Sequence, residues 1–231
     1  MDALNFLNQQ SAVILWLIFF VENLLVTILS LLFGFAIFKS HKVKIPSITR
    51  LEYWLCLLTN LINTAITYFG FWLWQQGFVH LEFSASWHII IDFFVLFLAM
   101  DLAMYLFHYL IHHTAAYKLI HGLHHQYHNP SPIDLYVLHP LETIGFGILW
   151  LSVLSVYTYN FYAVIIYLSV NVAFGIVGHL GFEPLAKSIT NQRLLKYLGT
   201  SAFHHRHHQE TNCNFGFYTS IWDRLLGTYR Q

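Results

Sequence analysis

The chain has 231 residues, of which 57% are hydrophobic and 10% charged, and its mean hydropathy is +0.54. A soluble globular domain carries about 25% charged residues, so this composition excludes an ordinary soluble fold and points to a bilayer. The formal net charge is zero, which excludes bulk electrostatic attraction to nucleic acid or acidic lipid.

A run of about 20 apolar residues crosses the hydrocarbon core. Five stretches read as membrane helices: 12–38, 53–76, 88–110, 142–158 and 161–178. The last two are short, forming either a tight hairpin that spans with little tilt or one that does not cross fully. No internal repeat or low-complexity linker divides the chain. The expected fold is therefore all-α: one membrane domain over 1–231, a polytopic bundle of four to five membrane helices. Segments 108–141 and 179–231 are expected to form a cytoplasmic, histidine-rich helical cap. No removable signal peptide and no C-terminal lipidation box is read. Cys56 and Cys213 give no disulfide framework and are expected as free thiols.

The basic residues set the expected orientation. Lys39, Lys42, Lys44 and Arg50 follow the first helix, and Lys118 follows the third. Lys187, Arg193, Lys196, Arg206, Arg224 and Arg230 follow the fifth, while the 77–87 loop and the loop near Asn160 contain none. All eleven thus fall on one side, which predicts an N-terminus outside and every histidine cluster facing the cytoplasm. Four acids break the apolar runs. Glu52 sits at a helix entrance, Glu22 near the outer interface, and Asp92 has no partner visible in sequence. Asp101 is taken up below.

Histidine is the unusual residue: 13 of the 16 fall between His108 and His208. Three boxes stand out. The first is His108-x-x-x-His112 at the end of the third helix. The second is His121-x-x-His124-His125, and the third is His204-His205-x-His207-His208. Spacings of three and four residues place imidazoles on one helical face, so three short helical pieces each offer two or three nitrogens. Imidazole suits iron, copper, nickel and zinc. One tetrahedral site takes four ligands, so eight box histidines read most economically as two metal ions. His41, His80 and His88 read as loop or interface residues. Two other classes compete. A membrane metal transporter or non-catalytic metal-binding protein would place ligands near the bilayer midplane, whereas these boxes sit at helix ends. A membrane cytochrome would need histidines facing each other across the bundle.

From Asp101 to Arg230 the sequence resembles the sterol desaturase/fatty acid hydroxylase family of integral membrane oxygenases. The resemblance rests on Asp101 to His112, with Tyr105 inside it, and on the second box. It continues through His139-Pro140-x-Glu142 and Gly178-His179-x-Gly181-x-Glu183-Pro184. It ends with the third box, Asn214-x-Gly216-x-Tyr218 and Trp222-Asp223 to Gly227-Thr228. It implies two iron ions at the cytoplasmic face, with zinc able to substitute on purification. The ligands it implies are His108, His112, His121, His124, His125, His179, His204, His207 and His208. Some relatives carry a further histidine where this chain has Gly175, which leaves nine ligands and an open position on one metal. His139 is a weaker ligand candidate.

Around these ligands, Asp101 or Glu142 is expected to accept a hydrogen bond from a metal-bound imidazole. The alternative for Asp101 is a bond to a neighbouring helix. His113, His128, His139 and His205 are further candidates beside the ligands. Phe215, Tyr218 and Trp222 are expected to pack under the site, and Asp223 to cap or clamp the C-terminal segment. The implied activity is O2-dependent attack on a C–H bond of a lipid, giving a hydroxylated or desaturated sterol-like or acyl product. The implied electron source is a separate cytochrome, ferredoxin or reductase, since no haem or flavin domain fits in the remaining residues.

Overall fold

A computed structural model describes residues 2–186 and 195–230. Lys187 and Arg193, counted above among the one-sided basic residues, lie outside the described residues. The long helices are α2 (Ala12–Ser40), α3 (Arg50–Gln75), α4 (His88–His112), α5 (Pro140–Ser155) and α6 (Phe161–Gly178). A short α1 (Asp2–Asn8) precedes them, and α7 (Ser201–Gln209) and α8 (Ile221–Leu226) follow. Four of these, α2, α3, α4 and α6, are long and apolar enough to cross a membrane. The chain is therefore a multi-pass, all-α membrane protein. The only regular strands among the described residues are the two-residue parallel pair β1 (Leu81–Glu82) and β2 (Tyr159–Asn160).

Local chemistry fixes the helix ends and moves two expected boundaries. α3 starts at Arg50 rather than 53, because Thr49 and Glu52 form a reciprocal capping box that satisfies the first free amides. α5 covers Pro140–Ser155 rather than 142–158. His139 Nδ1 accepts the amide of Leu141, and Pro140 takes the first helical position, where its missing N–H costs nothing. With 16 residues, α5 is the short apolar helix of the set. The second histidine box is not the expected α-helical piece: it is a π-turn over Tyr117–His121 followed by a 3-10 turn over His124–Gln126.

Neighbour contacts close a ring in the order α2, α3, α5, α4, α6 and back to α2. Inside it lie Leu96, Met100, Leu154, Val164, Tyr167 and Tyr218. A polar seam ties α2 to α3. Thr27 donates to Asn60 Oδ1 at 3.1 Å, and Asn23 Nδ2 donates to Thr67 at 3.3 Å. Such bonds between membrane helices contribute about 0.6–2 kcal/mol each. Lower down, Ser30 pairs with Tyr136 at 2.8 Å, so the connection between the second box and α5 nests against α2. Gly34 permits this, since a Cβ there would lie 2.7 Å from Pro132 Cβ. At the opposite end Asp92 does have a partner: it accepts the Asn160 amide at 2.7 Å. Asn160 in turn donates its side chain to the Ser84 carbonyl at 2.7 Å. Glu22 is exposed on α2, and no hydrogen-bond partner for it is found among the described residues.

Candidate metal centre

The histidines converge at one end of the ring. α4 contributes His108 and His112 from its last turns, and the turns after it contribute His121, His124 and His125. His179 caps the C-terminus of α6, and α7 adds His204, His207 and His208. Their nitrogens fall into two sets, and within each set all lie within 4.8 Å of one another. One set holds His108, His112, His121, His125 and His207; the other holds His124, His179, His204 and His208. The sets adjoin, with the His125 and His208 ring centroids 4.9 Å apart.

The split follows from spacing. Residues four apart are rotated by about 40° around a helix and residues three apart by about −60°. In the α-helical boxes the i, i+4 pairs His108/His112 and His204/His208 each serve one set while His207 points to the other; the π and 3-10 turns of the second box make the same division, with His121 and His125 in one set and His124 in the other. Each later box therefore straddles both sets and ties them together.

The nitrogen separations suit a shared cation. His121 Nε2 lies 3.0 Å from His108 Nε2 and 3.1 Å from His125 Nε2. His179 Nε2 lies 3.3 Å from both His124 Nε2 and His204 Nε2, and His204 and His208 are 3.2 Å apart. Two nitrogens bound about 2.0–2.1 Å from one ion, at tetrahedral to octahedral angles, lie about 2.9–3.4 Å apart. The outer nitrogens fix the tautomers. His108 Nδ1 donates to the Phe215 carbonyl at 2.9 Å, His207 Nδ1 to Cys213 at 2.7 Å, and His179 Nδ1 to Gly175 at 2.7 Å. His121 Nδ1 donates to Glu142 Oε1 at 2.6 Å. A neutral imidazole has one N–H, so these four rings turn bare Nε2 lone pairs inward. Facing lone pairs at 3.0 Å repel unless a cation lies between them. The Nε2 atoms of His112 and His207 are also buried without a partner among the described residues.

Electrostatics agree with a ligand role. Burial, followed by the neighbouring histidines, holds His121, His124, His125, His204, His207 and His208 well below the usual imidazole range. Burial pushes His179 down to about 4, against the opposing pull of the Gly175 carbonyl. All seven are neutral at pH 7, the form that binds metal. The donor set therefore fits two nitrogen-preferring ions. A carboxylate-rich di-iron site is a different arrangement; here Glu142 stands beside the ligands as an acceptor.

Not every candidate reaches the site. Glu142 does, as the acceptor of His121. Asp101 does not: its Oδ1 accepts the amides of Tyr218 and Thr219, and its Oδ2 accepts Thr219 Oγ1 and Trp222 Nε1. It anchors the C-terminal segment to α4 by accepting four donors from three residues of that turn, Tyr218, Thr219 and Trp222. His139 is the N-cap of α5, outside both sets. His205 turns away from the centre to Asn129, and His128 bonds the His208 carbonyl. His113 is exposed and stacks on Tyr109 at 4.0 Å. Asp223 clamps the C-terminal segment, accepting the Phe215 and Gly216 amides and the Thr228 hydroxyl at 2.7–2.8 Å. Phe215 packs in the centre's wall, 5.2 Å from His112 between ring centroids.

Three holders of the ligands were not named from sequence: the carbonyls of Phe215, Cys213 and Gly175. Backbone acceptors leave no residue-type signal. Asn214 is another. It adopts φ 58 and bonds the backbone of Phe203 and Arg230, which presents Cys213 and Phe215 on either side of it to His207 and His108. Its cue was an asparagine just ahead of Phe-Gly, a residue tolerant of left-handed backbone.

The Fatty acid hydroxylase family matches residues 93–228, more than half of the chain and the whole of both histidine sets. No curated protein and no solved structure matches the chain. The family is typically iron-dependent, in keeping with a donor set of neutral imidazoles. With the family's residues and the two converging histidine sets in the same stretch, the chain belongs to the sterol desaturase/fatty acid hydroxylase family.

Proposed function

We propose that this protein is a membrane oxygenase that holds two iron ions and uses O2 to oxidise a C–H bond of a lipid, with a hydroxylated or desaturated product. The observation that carries the reading is the convergence of nine buried or half-buried imidazoles into two adjoining sets with bare nitrogens turned inward. His108, His112, His121, His125 and His207 would hold one ion, and His124, His179, His204 and His208 the other. Bound iron supplies the reduction of O2 and the removal of hydrogen from an unactivated carbon.

The chain supplies geometry. The carbonyls of Phe215, Cys213 and Gly175 and the Glu142 carboxylate hold four rings in the tautomer and orientation that ligation requires. Phe215, fully buried, keeps water from the His108, His112 and His207 face. The four-membered ligand set would offer its ion one donor fewer than the other. Lipid access is supported by an apolar groove of about 640 Å³ between α3 and α5, lined by Leu61, Ile66, Phe69, Ile144, Ile148 and Leu151. Its histidine-side end, Ile144, is two residues from Glu142.

The histidine end faces the cytoplasm on this reading, since Lys39, Lys42, Lys44, Arg50 and Lys118 all lie at or just beyond helix ends there. Electrons come from a separate cytochrome, ferredoxin or reductase. The test is comparative lipid analysis of cells lacking the gene and cells with it restored, grown under 18O2. A lipid that gains 18O or a double bond only in restored cells supports the reading. Metal flux into vesicles with no O2 consumption and no altered lipid would replace it with a transporter.

A further inference from the structure

The C-terminal segment beyond α7 does not lie wholly below the bundle. Its anchor, Asp101, is thirteen residues into α4 from His88, or about 20 Å along the axis at 1.5 Å per residue. Tyr105, which bonds Thr228 at 3.1 Å, is about 25 Å along. A hydrocarbon core about 30 Å thick that starts at the His88 end therefore still encloses both residues. Tyr218 reaches deeper. Its hydroxyl accepts from Tyr167 at 2.7 Å and donates to Asn171 at 2.6 Å, and Tyr167 is only six residues from the start of α6.

Irregular backbone survives at such depth only when protein satisfies its polar groups. Here it does so closely. Asp101 takes the amides of Tyr218 and Thr219 at 3.1 Å each, the Thr219 hydroxyl at 2.5 Å and the Trp222 indole at 3.0 Å. The Tyr197 carbonyl takes the Ser220 amide, and the Tyr218 carbonyl takes the Gly199 amide, both at 2.7 Å. Asp223 takes the amides of Phe215 and Gly216. A turn on a wet surface needs none of this.

Between the Asp101 and Tyr105 anchors runs α8, and its outer side is apolar: Leu225 is 70% exposed and Leu226 58%. Cations and aromatics flank it. The Arg224 guanidinium sits 3.7 Å over the Tyr229 ring, and Lys196 Nζ lies 4.9 Å over Tyr197. Leucines bordered by rings and long cations match the boundary between acyl chains and headgroups.

We propose that residues 215–228 form a re-entrant membrane element, with Leu225 and Leu226 of α8 seated among the acyl chains of the leaflet at the histidine end. The occupant is lipid because Asp101 and Tyr105 hold this face against α4, a helix long and apolar enough to cross a membrane, whose exposed Leu98 and Leu106 lie within three residues of those anchors. The element also carries the Phe215 carbonyl that orients His108, so it fixes the depth of the histidine centre relative to the lipid. This inference needs the chain to span a bilayer and needs no assumption about its chemistry.

The test places nitroxides at Leu225→Cys and Leu226→Cys in a Cys56→Ala/Cys213→Ala background, in phospholipid nanodiscs. Leu98→Cys on α4 serves as the lipid reference and Asn212→Cys as the aqueous one. Collision rates with O2 and a nickel chelate that match Leu98 are the expected result. Rates that match Asn212 overturn the proposal. Spin–spin broadening between chains also overturns it, because a second copy would then cover the face. The unmodified chain gives an independent reading in nanodiscs made with a diazirine-bearing phospholipid. Adducts on the peptide holding Leu225 and Leu226 are expected, and adducts on α4 with none on that peptide contradict it.

Discussion

The five-nitrogen and four-nitrogen sets draw on the same boxes but are held differently. In the five-membered set three rings are fixed through their outer nitrogen: His108 by the Phe215 carbonyl, His121 by Glu142 and His207 by the Cys213 carbonyl. In the four-membered set His179 is so fixed, to Gly175, and His124 faces the Val137 carbonyl, while the Nδ1 atoms of His204 and His208, like that of His125 in the five-membered set, are buried without a partner among the described residues. One set is preorganised and the other is looser with fewer donors. The difference teaches that similar sequence boxes need not make equivalent sites: the backbone around them decides how firmly each ring points inward.

The largest effects should come from removing a ligand. His207→Ala and His124→Ala should each cut turnover by more than about 100-fold, beyond what loss of a ligand's hydrogen-bond partner costs, while membrane insertion stays normal. Metal analysis of the two variants checks the assignment, with about one ion expected to remain in His124→Ala. Retained turnover in either variant would break it. A smaller effect sharpens the contrast. Graded chelation should empty the four-histidine set first, leaving one ion per chain as a resolved stage. Glu142→Ala should weaken the five-histidine site about 10–100-fold and merge the two stages, while Glu142→Gln, which can still accept from His121, should shift it less. A single-step release in the unaltered chain would mean that the two sets are equivalent.

Gly175 offers a way to make the sets alike. A Cβ at that position would lie 2.7 Å from Leu135 Cδ1, so Gly175→His alone should lower thermal stability. Pairing it with Leu135→Ala should recover most of the loss and slow metal release from the four-histidine set. Chelation kinetics of the single and double variants measure this.

The smallest effect is on pH dependence away from the ligands. Burial, with Glu52 adding to it, pushes the Asp134 carboxyl up to about 7. The folded chain therefore binds this proton more tightly than the unfolded chain, and stability falls as pH rises from about 4 to 7. Asp134→Asn should remove that loss, so the metal-free variant gains on the unaltered protein toward pH 8 and matches it near pH 4. The buried histidines act in the opposite sense. His179, at about 4 when folded, lowers stability as pH falls from about 6.5 toward 4. Thermal unfolding across that range separates the two trends.

Much of this was legible in the sequence, because long apolar runs and histidine spacing are local properties. The centres of α2, α3, α4 and α6 and the eight box histidines could be read that way, while His179 was implied only by the family resemblance. Two helix starts were legible but passed over: Thr49-x-x-Glu52 is a capping box, and Pro140 marks a first helical position. What stayed hidden depends on contacts distant in sequence. Asp92 meets Asn160, Asp101 meets Tyr218 through Trp222, and the acceptors that set the His108 and His207 tautomers are carbonyls. His139 and Asp101 looked like partners of the centre because their residue types suit that role, yet a helix start and the C-terminal turn use them first.

The central claim is that two ions share one imidazole cage. It is tested most directly by loading the purified chain anaerobically with 57Fe, counting bound iron and recording Mössbauer and EPR spectra. Two irons per chain, distinguishable as sites of different donor number and magnetically coupled after oxidation, are expected. One iron per chain, or two that behave as isolated ions, would contradict the account.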